Sequence, residues 1–84
     1  MTTLNVETAK RIEELRKKQG IRTRNQLATR AGIDHSTLDN LLNGKSGDPK
    51  LSTIYKIASS GLGMKMKEFF DFPEMDEVRE IEDD

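Results

Sequence analysis

Gly32 divides two short runs of apolar residues that both recur at helical spacing. These residues are Leu27, Ala28 and Ala31 before the glycine, and Leu38, Leu41 and Leu42 after it. Glycine tolerates the left-handed backbone conformation in which many helices end. The pattern therefore predicts two short helices joined by a tight turn at residue 32.

The residues that precede the two predicted helices favour helix starts. Thr23 precedes the first helix, and Gln26 stands three residues later, which is the pattern of a capping box. Asp34 is a favourable N-cap for the second helix. Ala28 is small enough for two helices to cross closely at its position. Together these signals predict a helix-turn-helix unit, whose second helix commonly lies in the major groove of DNA.

The second predicted helix has a polar face opposite its leucines. At about 100° per residue, the polar side chains fall on one arc of about 140°. They are His35, Ser36, Asp39, Asn40 and Asn43. Side chains of this kind donate and accept hydrogen bonds, as base edges do. This face is either a DNA-reading surface or the solvated side of an ordinary amphipathic helix, and the complete motif favours the first interpretation.

Three further helices are predicted from apolar spacing, over residues 6–19, about 50–60 and 65–70. Gly20 ends the first of them and Pro73 the last. The residues expected to face inward are Val6, Ala9, Ile12 and Leu15, then Leu51, Ile54, Ile57 and Ala58, and finally Met66, Phe69 and Phe70. The predicted fold class is all-α with five helices.

Length and composition exclude several classes of protein. Eighty-four residues permit one domain with a small core. With no cysteine and one histidine, neither a disulfide framework nor a metal site is predicted. No apolar run approaches the ~18 residues of a membrane span, and the N-terminus lacks a signal-peptide core. We expect a cytoplasmic protein without a cofactor. It is not expected to be an enzyme, because no nucleophile–base pair or phosphate-binding loop is present.

The net charge of −1 conceals two parts of opposite sign. Residues 1–73, the predicted domain, contain 13 Lys and Arg against 8 Asp and Glu, which suits a phosphate-binding surface. Residues 74–84, the predicted acidic tail, contain one Arg against seven Asp and Glu. Apolar residues recur every three positions in the tail, so a short helix and disorder both remain open. The tail is a candidate for binding a protein partner or for covering the basic face and weakening DNA binding.

The order of the predicted helices resembles the phage repressor and Cro type of helix-turn-helix protein, also called the XRE family. The resemblance covers about residues 6–72 and rests on the blocks RIEELRKKQGI, QLATRAGIDHSTLDNLLNGK, PKLSTIYKIA and LGMKMKEFF. It implies a compact five-helix lambda-repressor-like domain. Many members pair an arginine of the first helix with a glutamate late in the third. Arg16 matches that arginine, but Leu42 stands at the glutamate position, which leaves Arg16 to find phosphate, the tail or solvent. Relative to the family, Gly61 looks like one extra residue before Leu62, so the fourth helix is expected to end differently.

The resemblance also implies roles for individual residues. The base-reading positions of the family correspond to His35, Ser36, Asp39 and Asn40. The phosphate-binding positions correspond to Thr23, Arg24, Asn43, Lys45 and Lys50. Members bind DNA as dimers, and the candidate dimer contacts here are Met66, Phe69, Phe70 and Phe72, which are equally suited to fill the core.

These observations predict a sequence-specific transcriptional regulator whose partner is double-stranded DNA. The resemblance favours a repressor that binds a palindromic operator as a homodimer. Two alternatives remain open. One is the antitoxin of a toxin–antitoxin pair, in which the acidic tail would bind the toxin, and the other is a protein-interaction module built on a helix-turn-helix scaffold.

Overall fold

The computed structural model describes residues 3–45 and 48–78, and every regular element of these residues is helical. The α-helices are α1 (Leu4–Lys18), α2 (Arg24–Ala31), α3 (His35–Leu42), α4 (Leu51–Lys56) and α5 (Met66–Phe69). A π-helical turn (Ile57–Gly61) continues α4, and a 3₁₀ helix (Pro73–Glu77) follows α5. The prediction of an all-α fold with a helix-turn-helix at α2 and α3 is confirmed. The end of the predicted acidic tail, residues 79–84, lies outside the described residues.

The turn between α2 and α3 has the geometry that its sequence predicts. Gly32 ends α2 in the left-handed conformation, with φ of 74°. The Thr23 hydroxyl oxygen accepts a hydrogen bond from the backbone N–H of Gln26 at 3.1 Å. The second hydrogen bond of the predicted capping box differs by one residue. The Gln26 side chain accepts from the backbone N–H of Arg22 instead of that of Thr23. Asp34 occupies the N-cap position of α3, but its side chain makes no capping hydrogen bond there.

A single apolar core joins the helices of the described residues. Its buried members are Ile12, Leu15, Ile21, Leu27, Ala28, Ala31, Leu38, Leu41, Ile54, Ile57, Ala58, Leu62 and Phe69. Ala28 is fully buried, as expected for a residue at the crossing of two helices. The core therefore fixes the helix-turn-helix against α1 and the end of α4.

Two residues predicted to face inward are exposed instead. Val6 is 46% exposed because the buried stripe of α1 passes through Thr8, Ile12 and Arg16 and leaves Val6 to one side. Leu51 is 72% exposed. It is the first residue of α4, and helical side chains lean toward the N-terminus, so its side chain extends beyond the end of the helix.

The fourth helix ends in a wide turn rather than an α-helical one. The backbone N–H of Leu62 donates to the carbonyl oxygen of Ile57, five residues earlier, at 2.9 Å. This turn contains one residue more than an α-helical turn, which fits the interpretation of Gly61 as an extra residue. A Cβ on Gly61 would lie 2.8 Å from Leu27 Cδ1 and 3.3 Å from Ala31 Cβ. Glycine therefore permits the π-helical turn to pack directly on α2.

The C-terminal aromatic residues differ in exposure. Phe69 is fully buried, so the expectation that it contributes to a dimer surface is corrected: its side chain fills the core of its own chain. Met66, Phe70 and Phe72 are partly exposed. Arg11 of α1 joins this segment to the domain, since its guanidinium donates to the Phe69 carbonyl at 2.8 Å and lies over the Phe72 ring at 4.9 Å.

Candidate DNA-binding surface

The polar face of α3 is turned away from the core. Leu38 and Leu41 are buried on one side of the helix. The predicted base-reading residues lie on the other side; His35, Ser36 and Asn40 are exposed, and the Asp39 side chain is 48% exposed. Because the two leucines pack into the core, the four polar side chains point outward and form one surface of hydrogen-bond donors and acceptors.

The start of α2 flanks this surface on one side. Arg24, the first residue of α2, donates from Nη1 to Asn43 Oδ1 at 3.1 Å and to Asp39 Oδ1 at 3.4 Å. Two predicted phosphate-binding residues thus contact each other and a predicted base reader. The Asn43 amide nitrogen remains able to donate, and Thr23 keeps its hydroxyl proton because its oxygen is the capping acceptor.

The start of α4 flanks the same helix on another side. Lys50 occupies the N-cap position of α4, and its side chain is exposed. A shallow cavity between the two helices is lined by Thr37 and Leu41 of α3 together with Asp48, Pro49, Lys50 and Thr53. Lys45, three residues after α3, is also exposed. Lys50 therefore lies beside α3, and Lys45 follows its C-terminal end. If α3 entered a groove of DNA, the phosphates on either side of the groove would lie close to such residues.

Arg16 and Glu13 form an ion pair that the sequence analysis did not predict. Arg16 is 8% exposed, and its Nη2 lies 2.6 Å from Glu13 Oε1. Its Nη1 donates to the carbonyl oxygens of Ile21 and Arg22 at 2.8 and 2.9 Å. The expectation that Arg16 finds phosphate, the tail or solvent is therefore wrong for the described residues. The spacing of Glu13 and Arg16, three residues apart on a helix, is the signal that could have revealed the pair.

The second oxygen of Glu13 connects this pair to the surface of α3. Glu13 Oε2 accepts from Arg24 Nε at 2.8 Å, and Arg24 in turn contacts α3. We call these five residues, Glu13, Arg16, Arg24, Asp39 and Asn43, the Glu13 network. Burial of the Glu13 carboxyl raises its pKa, whereas the hydrogen bonds and positive charges of Arg16 and Arg24 lower it. The lowering is the larger effect, so the pKa lies below its ordinary value of 4.5.

We expect Glu13→Gln to lower the free energy of unfolding by about 1–2 kcal/mol at neutral pH, since hydrogen bonds between charged groups are lost. A pKa lowered by folding stabilises the native state above the unfolded-state pKa, and that stabilisation disappears as the pH falls through the folded-state value. Urea unfolding at pH 7 and near pH 3 should show the difference between wild type and variant shrinking at the lower pH. The exposed neighbour Glu14 supplies the control Glu14→Gln, and a difference that is equal at both pH values would contradict this assignment.

The helix-turn-helix and its flanking helices define the class of this protein. Residues 9–60, more than half of the chain, match the family model described as a helix-turn-helix domain. The chain therefore belongs to this family. Comparison with curated proteins and with solved structures gave no match.

No group of His, Asp or Glu in residues 3–45 and 48–78 is arranged to hold a metal ion. Within the same residues, no helix has the length and apolar character needed to cross a membrane.

Proposed function

We propose that the protein is a sequence-specific DNA-binding transcriptional regulator of the phage repressor and Cro type. The observation that carries this proposal is the polar face of α3, which is held outward by buried Leu38 and Leu41 and has Arg24 and Lys50 beside it. In this proposal α3 lies in the major groove and the flanking residues contact the phosphates.

The exposed side chains of α3 suit different base edges. Asn40 carries both an amide donor and a carbonyl acceptor, which match the N7 and N6 positions of adenine. Asp39 can accept a hydrogen bond from the amino group of cytosine, and His35 and Ser36 lie at the start of the helix beside them. Thr23, Arg24, Asn43, Lys45 and Lys50 are the proposed phosphate contacts.

We also propose that two copies bind a palindromic operator and thereby repress transcription in the cytoplasm. One domain of this size presents few side chains to the bases, and two half-sites about one helical turn apart double that number. The partly exposed Met66, Phe70 and Phe72 are the proposed contacts between the copies, because their apolar surface is incompletely covered within one chain.

Selection from a pool of random duplexes, carried out with the full chain at two salt concentrations, tests this function. Enrichment of a palindromic sequence would support a dimeric regulator and would identify its operator. Salt-sensitive binding without enrichment would contradict sequence-specific recognition. Absence of binding at low salt would overturn the DNA-binding proposal as a whole.

We expect Lys50→Ala to weaken binding to every duplex by the same factor, because a phosphate contact carries no base preference. The slope of log affinity against log salt should fall by about one, as expected when one counterion fewer is released. Titrations of the selected duplex and of an unrelated duplex across a salt series measure both quantities. Lys67→Ala, which removes an exposed lysine of α5, is the control. A loss confined to the selected duplex would contradict the phosphate assignment.

A further inference from the structure

Glu13 lies in α1, outside the helix-turn-helix, yet its carboxylate reaches the DNA-facing surface. Its two oxygens have separate partners. Oε1 accepts from Nε and Nη2 of Arg16 at 3.1 and 2.6 Å, and Oε2 accepts from Nε of Arg24 at 2.8 Å. One carboxylate therefore holds two guanidinium groups in fixed positions relative to each other.

The Arg16 side of the network is anchored in the domain. The Arg16 side chain is only 10% exposed. Its third nitrogen, Nη1, donates hydrogen bonds to the backbone carbonyl oxygens of Ile21 and Arg22, which lie between α1 and α2. With both ends of this guanidinium engaged, Glu13 has little freedom to change its orientation, and the position of its second oxygen, Oε2, is set by the fold.

The Arg24 side of the network ends on α3. Its Nη1 contacts Asn43 Oδ1 at 3.1 Å and Asp39 Oδ1 at 3.4 Å, the second being the weaker contact. The Arg24 side chain is 35% exposed, so solvent and a bound phosphate can both reach it. Glu13 thus sets the position of the Arg24 guanidinium, and this position determines the strength of the contact between Arg24 and Asp39.

Charge explains why this placement matters for base recognition. Glu13, Arg16, Arg24 and Asp39 together carry no net charge. Without the negative charge of Glu13, Asp39 would be the only carboxylate of the network available to Arg24, and the two would pair more closely. Asp39 would then be less available to a cytosine amino group, while the added positive charge would attract phosphates of any sequence.

We infer that Glu13 is a positioning residue that sets the base discrimination of α3, by holding Arg24 and thereby keeping Asp39 available to a base. This inference rests on the proposed function. It differs from a purely structural role for Glu13, which would reduce affinity for selected and unrelated duplexes together.

The test compares wild type, Glu13→Gln and the control Glu14→Gln, which removes the same charge one residue away. Each is titrated with the selected duplex, with duplexes altered at one base pair, and with an unrelated duplex. Glu13→Gln should bind the unrelated duplex more tightly than wild type. Its discrimination at the base pair read by Asp39 should fall about fivefold or more, the lower range for one base contact. Glu14→Gln should keep the wild-type discrimination.

A second variant establishes that Glu13 acts through Arg24. Arg24→Lys keeps the charge but loses the fork of donors, so it should lose discrimination at the same base pair. Adding Glu13→Gln to Arg24→Lys should then cause little further loss, because the two changes interrupt one connection. Thermal unfolding followed by circular dichroism verifies that each variant is folded at the assay temperature.

The outcomes separate the inference from the proposed function. If wild type selects a site and Glu13→Gln discriminates as sharply as wild type, the inference is overturned and the proposed function stands. Additive losses from Glu13→Gln and Arg24→Lys would also overturn it. If wild type itself selects no site, sequence-specific recognition fails, and the inference fails with it.

Discussion

Leu38→Ala will lower the free energy of unfolding by about 2–5 kcal/mol, the range for a leucine truncated in a packed core. Leu38 is fully buried, on the side of α3 opposite the proposed base readers. Its removal leaves a cavity where α3 packs on the rest of the domain. In urea denaturation the midpoint should fall while the slope against denaturant stays constant, because the surface exposed on unfolding hardly changes.

The adjacent residue gives a matched control for that truncation. Thr37 is exposed on the same helix, so Thr37→Ala should change the free energy of unfolding by less than about 0.5 kcal/mol. Under conditions in which Leu38→Ala remains folded, its base preference should match that of wild type. A loss of stability below about 1 kcal/mol would contradict the central place of Leu38 in this small core.

Asn40→Ala is expected to weaken binding to the selected duplex by about 1–3 kcal/mol, the value of one bidentate base contact. Asn40 is exposed, so the free energy of unfolding should stay close to that of wild type. Titration of the selected duplex and of its single-base-pair variants should show that discrimination is lost at one or two neighbouring positions and is retained elsewhere.

A second exposed asparagine supplies the control for Asn40. Asn25 lies on α2 outside the polar face of α3, and Asn25→Ala is the same chemical change. It should leave discrimination at every base pair as in wild type. An equal loss of affinity for all duplexes on Asn40→Ala would show that Asn40 contacts phosphate, and the division of α3 and its flanks into base readers and phosphate contacts would be wrong.

The helix-turn-helix could be predicted because its signals are local. The burial of Ala28, the left-handed conformation of Gly32 and the outward face of α3 follow from side-chain spacing and turn chemistry within twenty residues. The same reasoning extends to the exposed state of His35 and Asn40. The roles assigned to those residues stay predictions, and Asn40→Ala tests one of them.

Other features depend on contacts that spacing does not specify. The partners of Arg16 include two loop carbonyls whose positions arise only when α1 and α2 have packed. Phe69 is the last residue of a four-residue helix and Phe70 is its C-cap, and such a helix is too short for periodicity to decide which ring is buried. The exposure of Leu51 depends on where α4 begins, and helix ends are the least certain part of any such prediction.

The wide turn at Ile57–Gly61 allows the number of residues at the end of the fourth helix to change by one. One residue added to a continuous α-helix rotates everything after it by about 100°, which would turn Leu62 and Phe69 away from the core. Here the surplus residue is taken up within the turn, and both side chains remain buried. A chain shortened by one residue at Ser60 could therefore close α4 as an ordinary helix and keep the same inward residues. The proposed base readers and phosphate contacts, all at or before residue 50, would be unaffected by such a change in length.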